Sequence, residues 1–311
     1  GGGGRGRSGG HAPGDGGRGR RRAAGHAARD AGEMTAGVVV ADSVTALGPD
    51  ARGAVLVTGS HGGMIAAHYA LAAGARAAVF NDAGRGLDDA GIAGAAALDV
   101  AGMAAATVAH TSARIAMAAD TLAHGVISFA NGRAVALGVA PGIRCRDAVE
   151  RLCAAPMPSG RLPPQLESRT LLAAGDASSL PIVALDSVGG VRPDDAGAVL
   201  VIGSHGALHG GDPASALPVD AAGAFFHDAG RGLDGAGASR LPVLDGRGLP
   251  AATVAYRSAR IGDARSLWAN GTLSCVNGAA ARLGLRIGMR VDTAARILAR
   301  SAKARAPTAS G

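Results

Sequence analysis

Two short stretches, VLVTGSHGG and VLVIGSHGA, repeat a serine and a histidine directly after an apolar run. The residues are Ser60 and His61 in the first stretch, and Ser204 and His205 in the second. A histidine in such a turn can act as an acid, a base, a metal ligand or a hydrogen-bond donor. Neighbouring glycines such as Gly206 let backbone N–H groups approach an anion. The pattern indicates a site for chemistry or ligand binding in each copy.

A second repeated pattern places a carboxylate and an arginine close to these turns. FNDAGRGLD contains Asp82 and Arg85, and FHDAGRGLD contains Asp228 and Arg231. Both patterns end an apolar run, so we expect each aspartate at the same sheet edge as the histidine of its own copy. The two side chains could form an acid/base pair or two metal ligands, and the arginine could bind a carboxylate or phosphate.

A third repeat, AATVAHTSARI and AATVAYRSARI, supplies Arg114 and Arg260 at a strand-to-helix turn. An arginine in the first helical turn opposes the helix dipole, which indicates a specific anionic partner, either a ligand or an internal aspartate. The fourth repeat, SFANG and SCVNG, ends in Asn131 and Asn277, which could be amide donors or turn formers.

Each of these residues also has a structural interpretation. The histidines could cap their own loops, and the aspartates could cap a helix and pair with the adjacent arginine. The serines are weaker candidates, because Thr58 and Ile202 occupy the first glycine position of the nucleophile-elbow pattern G-x-S-x-G.

The motifs lie in short apolar segments typical of strands, which alternate with helical segments. This alternation predicts βαβ units and a parallel sheet. Because four motifs return in the same order, the chain is predicted to be an internal duplication. The expected fold class is α/β, with a duplicated, doubly wound, Rossmann-like unit that forms two pseudo-twofold lobes.

The domain boundaries follow from composition. We expect five segments: a disordered Gly/Arg-rich segment (1–36), a first repeat (37–153), a Pro-containing linker (154–180), a second repeat (181–299) and a disordered basic tail (300–311). Deletion of 1–33 is expected to leave folding and activity intact, because this segment has no hydrophobic period.

The composition excludes several classes of catalytic and binding site. The only lysine is Lys303 in the tail, so the repeats hold no Walker A lysine, pyridoxal Schiff base or lysine aldolase. A Rossmann G-x-G-x-x-G is missing after the first strand, so a dinucleotide is not expected. The net charge of +7 comes from the two ends of the chain, which makes a nucleic-acid partner unlikely. Neither a membrane span nor a secretory signal is predicted, and a cytoplasmic location is expected.

These observations predict an enzyme that acts on a small anionic or carbonyl-containing metabolite. Hydrolysis by His/Asp acid–base or metal-assisted chemistry is the first hypothesis, with a divalent metal as an open possibility. The alternatives are an isomerase or lyase, a ligand-binding or sensing module without turnover, and a duplication that forms a homo-oligomer. The second copy is the expected working one, so His205→Ala should abolish function while His61→Ala does less.

Overall fold

The first repeat folds into a five-stranded sheet. The computed structural model describes residues 1–3 and 37–305. Residues 4–36 of the predicted N-terminal segment and residues 306–311 of the predicted tail lie outside this described part. Strands β1 to β4 are parallel and β5 is antiparallel to β4. They are β1 Val38–Ala41, β2 Val55–His61, β3 Ala77–Asn81, β4 Ala104–Val108 and β5 Ile127–Ala130.

The second repeat forms a six-stranded sheet. Strands β7 to β10 are parallel, and β11 is antiparallel to β10. An extra strand, β6, pairs antiparallel with β7 at the other edge. The strands are β6 Arg169–Ala173, β7 Ile182–Leu185, β8 Val199–His205, β9 Gly223–His227, β10 Ala251–Val254 and β11 Leu273–Val276. The expected α/β class with two lobes is confirmed.

Helices cover both faces of the sheets because the central strands are apolar on both sides. The helices of the first repeat are α1 Met64–Ala72, α2 Ala93–Ala97, α3 Ala118–His124, α4 Gly132–Ala136 and α5 Cys145–Leu152. Those of the second are α6 Arg240–Gly246, α7 Ala264–Asn270, α8 Gly278–Arg282 and α9 Val291–Arg305. In the second repeat, α6 packs on one face through Leu244, while α7 and α9 pack on the other through Leu267 and Leu298.

Within each sheet the strand order follows the sequence. A doubly wound sheet with a reversal of strand order has a ligand crevice at the point of reversal. Here the four parallel strands of each repeat run in simple succession, so such a crevice is missing from the sheets themselves.

The two repeats have the same succession of strands, as the duplication predicts. Segments 54–130 and 198–276 each form three parallel strands followed by an antiparallel one, with the same irregularity before the last pairing. They differ after the GSH turn. The first repeat continues into α1, whereas the second has two short 3-10 turns, His209–Gly211 and Pro213–Ser215. Pro213 and Pro218 interrupt the helix, as expected.

The carboxyl ends of the two sheets face each other across a pseudo-twofold axis. The N–H of Leu87 donates to the carbonyl of Tyr256, and the N–H of Leu233 donates to that of His110, each at 2.9 Å. Near the axis, a Cβ on Gly84 would lie 3.0 Å from the Cα of Gly230. The lobes therefore pack backbone to backbone here, in one compact unit that begins at residue 37.

Two segments differ from the sequence-based expectation. The Pro-containing linker contains β6, because an alternating run completes the edge of the second sheet. The tail predicted from residue 300 begins as the last turns of α9, which continues to Arg305. Within residues 1–3 and 37–305, the helices include none that is both long and apolar enough to cross a membrane.

Candidate functional site

A cavity of about 90 Å³ lies between the two lobes. Equivalent turns from both repeats form most of its wall, and we call it the interlobe cavity. The paired lining residues are Ser43 and Ser187, Val44 and Val188, Thr45 and Gly189, Ser60 and Ser204, and His61 and His205. Side chains found in one repeat only complete the lining, and they include Tyr69, Glu167 and His209; Asp186, the counterpart of Asp42, lines it from the second repeat.

The two serines of the GSH turns hold the neighbouring turns in place. The Ser60 hydroxyl oxygen accepts the N–H of Val44 at 3.1 Å, and that of Ser204 accepts the N–H of Val188 at 3.1 Å. A hydroxyl that accepts one bond still has its own proton to donate. Both serines therefore stay ligand-binding candidates, although their described bonds join them to backbone and not to a histidine.

The histidines of the GSH turns are held with one ring nitrogen facing the backbone. Nδ1 of His61 accepts the N–H of Gly63 at 3.1 Å, and Nδ1 of His205 accepts that of Ala207 at 3.3 Å. A ring nitrogen that accepts a hydrogen bond carries no proton, so the proton of the neutral imidazole lies on Nε2. Both side chains are then fixed as Nε2–H donors.

Both rings are also kept neutral. His61 and His205 are 8% and 5% exposed, and burial disfavours the charged imidazolium. Burial lowers the pKa of His61 to about 4. Burial lowers the pKa of His205 well below its usual value, and the nearby His209 and Arg240 lower it further. At neutral pH the cavity thus contains two neutral hydrogen-bond donors from equivalent positions.

A third buried histidine, His227, has the same Nδ1 arrangement but uses its Nε2 within the fold. Nδ1 of His227 accepts the N–H of Ala229 at 3.0 Å, and its Nε2 donates to the carbonyl of Ala259 at 3.1 Å. In the first repeat, Asn81 makes the same two bonds, from its carbonyl oxygen and its amide nitrogen. His227 is therefore the structural equivalent of Asn81. Because the two repeats differ at this position, the repeated motifs did not identify it.

Glu167 enters the cavity from the segment expected to be a linker. Its Oε1 atom is buried and has no hydrogen-bond partner in the described part of the chain. Burial raises the pKa of Glu167, the charge of Asp186 adds to this, and a hydrogen bond from Tyr69 partly offsets it. Carboxyl groups with raised pKa values are typical of proton-transfer sites. Sequence reasoning missed Glu167, since the segment has no copy elsewhere in the chain.

The aspartates of the DAGRG turns bind backbone N–H groups, and Asp82 also binds the imidazole of His110, but neither is hydrogen-bonded to a GSH histidine. An oxygen of Asp82 accepts the N–H of Gly84 and both the N–H and Nδ1 of His110, at 2.9 to 3.0 Å. Asp228 accepts the N–H groups of Gly230 and Tyr256. The strand register explains this, because the partner of His61 is the residue before Asp82, and successive side chains point to opposite faces.

The arginines of the repeated motifs are mostly paired with internal carboxylates. Arg114 binds Asp234 of the other lobe, and Arg260 binds Asp88 with its Nε 2.7 Å from the carboxylate. Arg85 forms an ion pair with Asp89, and its counterpart Arg231 is exposed. Arg260 also lines a second cavity, of about 280 Å³, that shares His61 with the interlobe cavity. The structure thus brings His61 and Arg260 together from different lobes.

Gly206, Asn131 and Asn277, which were predicted to belong to the site, make hydrogen bonds within the fold. The N–H of Gly206 donates to the carbonyl of His227, and a Cβ there would lie 2.7 Å from the carbonyl oxygen of Gly237. Asn131 and Asn277 cap the helices α4 and α8. These residues position the strands around the site.

Asn277→Ala is expected to lower the free energy of unfolding by about 3 kcal/mol, because it leaves several buried backbone groups without partners. The Asn277 side chain accepts the N–H groups of Ala251 and Ala280, and donates to the carbonyl of Leu249. Urea denaturation measures the change, and Asn277→Asp, which keeps the acceptor, should lose less. A loss below about 1 kcal/mol would show that water replaces these bonds.

In residues 1–3 and 37–305, no group of three or more His, Cys, Asp or Glu side chains is arranged to hold a metal ion. Comparison of the chain with protein family models, with curated proteins and with solved structures gave no match.

Proposed function

We propose that the interlobe cavity is the active site of an enzyme that moves a proton next to a carbonyl group of a small metabolite. The observation that carries this proposal is the pair of neutral Nε2–H donors, His61 and His205, on one cavity. Neutral imidazole donors stabilise an oxygen on which negative charge develops, and they do so without giving up their proton. The carbonyl oxygen of the substrate would accept from them.

Glu167 would transfer the proton. In its ionised form it takes a proton from the carbon beside the carbonyl, and the C–H electron pair becomes the C=C bond of an enolate. The enolate oxygen then carries the negative charge, which the two histidine N–H groups stabilise. Return of a proton from Glu167 to the same carbon regenerates the carbonyl compound, so that this proton exchanges with solvent. Where that carbon also carries a hydroxyl group, transfer of the hydroxyl proton to the enolate oxygen and return of the proton from Glu167 to the former carbonyl carbon complete an isomerisation. The raised pKa of Glu167 makes it a stronger base than an ordinary carboxylate at the pH where both are ionised.

The size of the cavity supports a small substrate. Its volume of about 90 Å³ is well below the roughly 300–1,000 Å³ of pockets for drug-sized ligands. The adjoining cavity at His61 and Arg260 offers a route or a subsite for the remainder of the molecule.

Hydrogen exchange in D2O tests the proposal. The protein is incubated with small keto, hydroxy and amino acids and their amides. Proton NMR follows the signal of the protons on the carbon next to the carbonyl. We expect the signal of at least one compound to disappear with enzyme and to persist with the Glu167→Gln variant. Release of acid from an ester or amide without exchange would support hydrolysis and contradict proton transfer, and binding without either would indicate a non-catalytic module.

A further inference from the structure

Arg240 is a fully buried arginine beside the second-repeat end of the cavity. It lies at the start of α6 with 0% exposure, and its guanidinium stacks over the ring of Phe226 at 5.5 Å. Its Nη1 donates to the carbonyl oxygens of Ser215 and Ala216. These carbonyls belong to the loop that takes the place of α1 in the second repeat.

Counted from the DAGRG turns, the residue at the same sequence position in the first repeat is Gly94. There a Cβ would lie 2.1 Å from the carbonyl oxygen of Gly63, because helix α1 packs directly on α2. The second repeat has no such helix, and the Arg240 side chain fills the space. An apolar side chain of similar length, such as methionine, would fill it without burying a charge.

The charge of Arg240 is only partly satisfied. Its Nε and Nη2 atoms are buried and have no hydrogen-bond partner in the described part of the chain, and the described ion pairs do not include it. Burial lowers the pKa of Arg240 to about 10, so the group stays charged at neutral pH. A buried cation without a partner is unfavourable for folding, and a well-packed apolar residue is often as stable or more so.

Hydrogen bonds connect Arg240 to the segment that carries the histidines of the cavity. Its backbone N–H donates to the carbonyl of Gly206, and the hydroxyl of Ser215, whose carbonyl binds the guanidinium, accepts the N–H of His209. The rings of His205 and His209 meet edge to face with centroids 5.7 Å apart, and the charge of Arg240 disfavours protonation of both.

The two aspartates in the neighbourhood are already bound to backbone N–H groups, whereas Glu167 lines the same cavity with one oxygen unpartnered. Asp186 accepts two backbone N–H groups, and Asp42 accepts one while its second oxygen lies close to the backbone at Gly210.

We propose that Arg240 makes the His205–His209 end of the interlobe cavity selective for a negatively charged group, so that the ligand is a small carboxylate. This inference rests on the proposed function and specifies the class of its substrate. Arg240 acts through the field at the cavity and not by contact, which makes it a specificity-determining residue. A carboxylate bound near His205 and His209 would compensate a buried cation that has two carbonyl partners but no carboxylate partner in the described ion pairs.

The test compares carboxylates with their own amides. Dissociation constants of pyruvate, lactate and acetate, each beside its primary amide, are measured by calorimetry for the wild type and for Arg240→Met. We expect the wild type to prefer at least one carboxylate by about tenfold or more, and Arg240→Met to bring that ratio close to one. The melting temperature of Arg240→Met should equal that of the wild type or exceed it. A loss of affinity in this variant then cannot be attributed to unfolding.

Two control variants isolate the charge. Arg240→Lys keeps the positive charge and should keep the preference for the carboxylate. Arg247→Met makes the same replacement just after α6, at an arginine paired with Asp220, and should leave the ratio of carboxylate to amide affinity unchanged. A wild type that binds no carboxylate better than its amide overturns the inference, as does an Arg240→Met variant that keeps the preference. Proton exchange on amides and carboxylates alike would leave the proposed function standing while this inference fails.

Discussion

Replacing His61 or His205 by asparagine is expected to lower turnover by about 10²- to 10³-fold while the protein stays folded. The asparagine side chain is shorter, so its amide N–H no longer reaches the point where the Nε2–H donors meet a ligand. Removal of one donor to a developing oxyanion typically has an effect of about this size. The turnover number for the exchange reaction in D2O is the measurement.

Asparagine is chosen because the chain itself shows that it preserves the turn. Asn81 accepts the N–H of Ala83 at 2.9 Å, just as His61 accepts that of Gly63. The backbone N–H would therefore keep its partner in both variants. The matched control is His227→Asn, which introduces the residue already present at position 81, and it should leave turnover within about twofold because His227 donates to backbone.

The His61→Asn and His205→Asn variants should have similar effects if both residues serve the proposed site. The sequence favoured the second copy as the working one, but the structure places both histidines on one cavity. Full turnover in His61→Asn, with loss only in His205→Asn, would contradict a shared site and restore the original preference. A loss of the same size in His227→Asn would show that these substitutions act through the fold.

The architecture could be predicted because it follows from local patterns. Buried strands such as β2 are continuous apolar runs with glycine turns at their ends, and the repeated motifs fix their order. The loop in place of α1 was also predictable, since Pro213 and Pro218 cannot lie in the interior of a regular helix.

The position of the site could be predicted only in part. Placing His61 and His205 at strand ends required no knowledge of packing, and both line the cavity. The face of the sheet that each side chain occupies depends on the strand register. In the observed register His61 pairs with Asn81, so the side chains of His61 and Asp82 point to different faces. The pairing of Arg114 with Asp234 depends on how the lobes dock, which no pattern within one repeat contains.

Residues without a counterpart in the other repeat were the hardest to find. Glu167 lies in the unduplicated segment, where prolines indicate a connection and give no hint of a buried carboxyl oxygen. Arg240 stands where the first repeat has Gly94, and only the missing helix explains why an arginine fits.

Glu167→Gln is expected to abolish proton exchange, with a fall in turnover number of about 10²- to 10⁴-fold, the usual contribution of a positioned acid or base. Glutamine has the same shape and can still bond to Tyr69, so the dissociation constant of the ligand should change little. An unchanged turnover number would remove Glu167 from the mechanism, and a loss confined to binding would make it a ligand-recognition group.

The pH dependence supplies an independent check on the ionisation of Glu167. Burial raises its pKa in the folded state, so between the usual glutamate value and the raised one the folded protein binds more protons than the unfolded chain. The stability contributed by this group is therefore present at low pH and is lost as the pH rises through the folded-state pKa. Glutamine has no such titration, so the melting temperature of Glu167→Gln relative to the wild type should increase with pH over that interval. Wild-type exchange should rise over the same interval as the carboxylate forms, and a stability difference that does not vary with pH would show that Glu167 is ionised in the ordinary range.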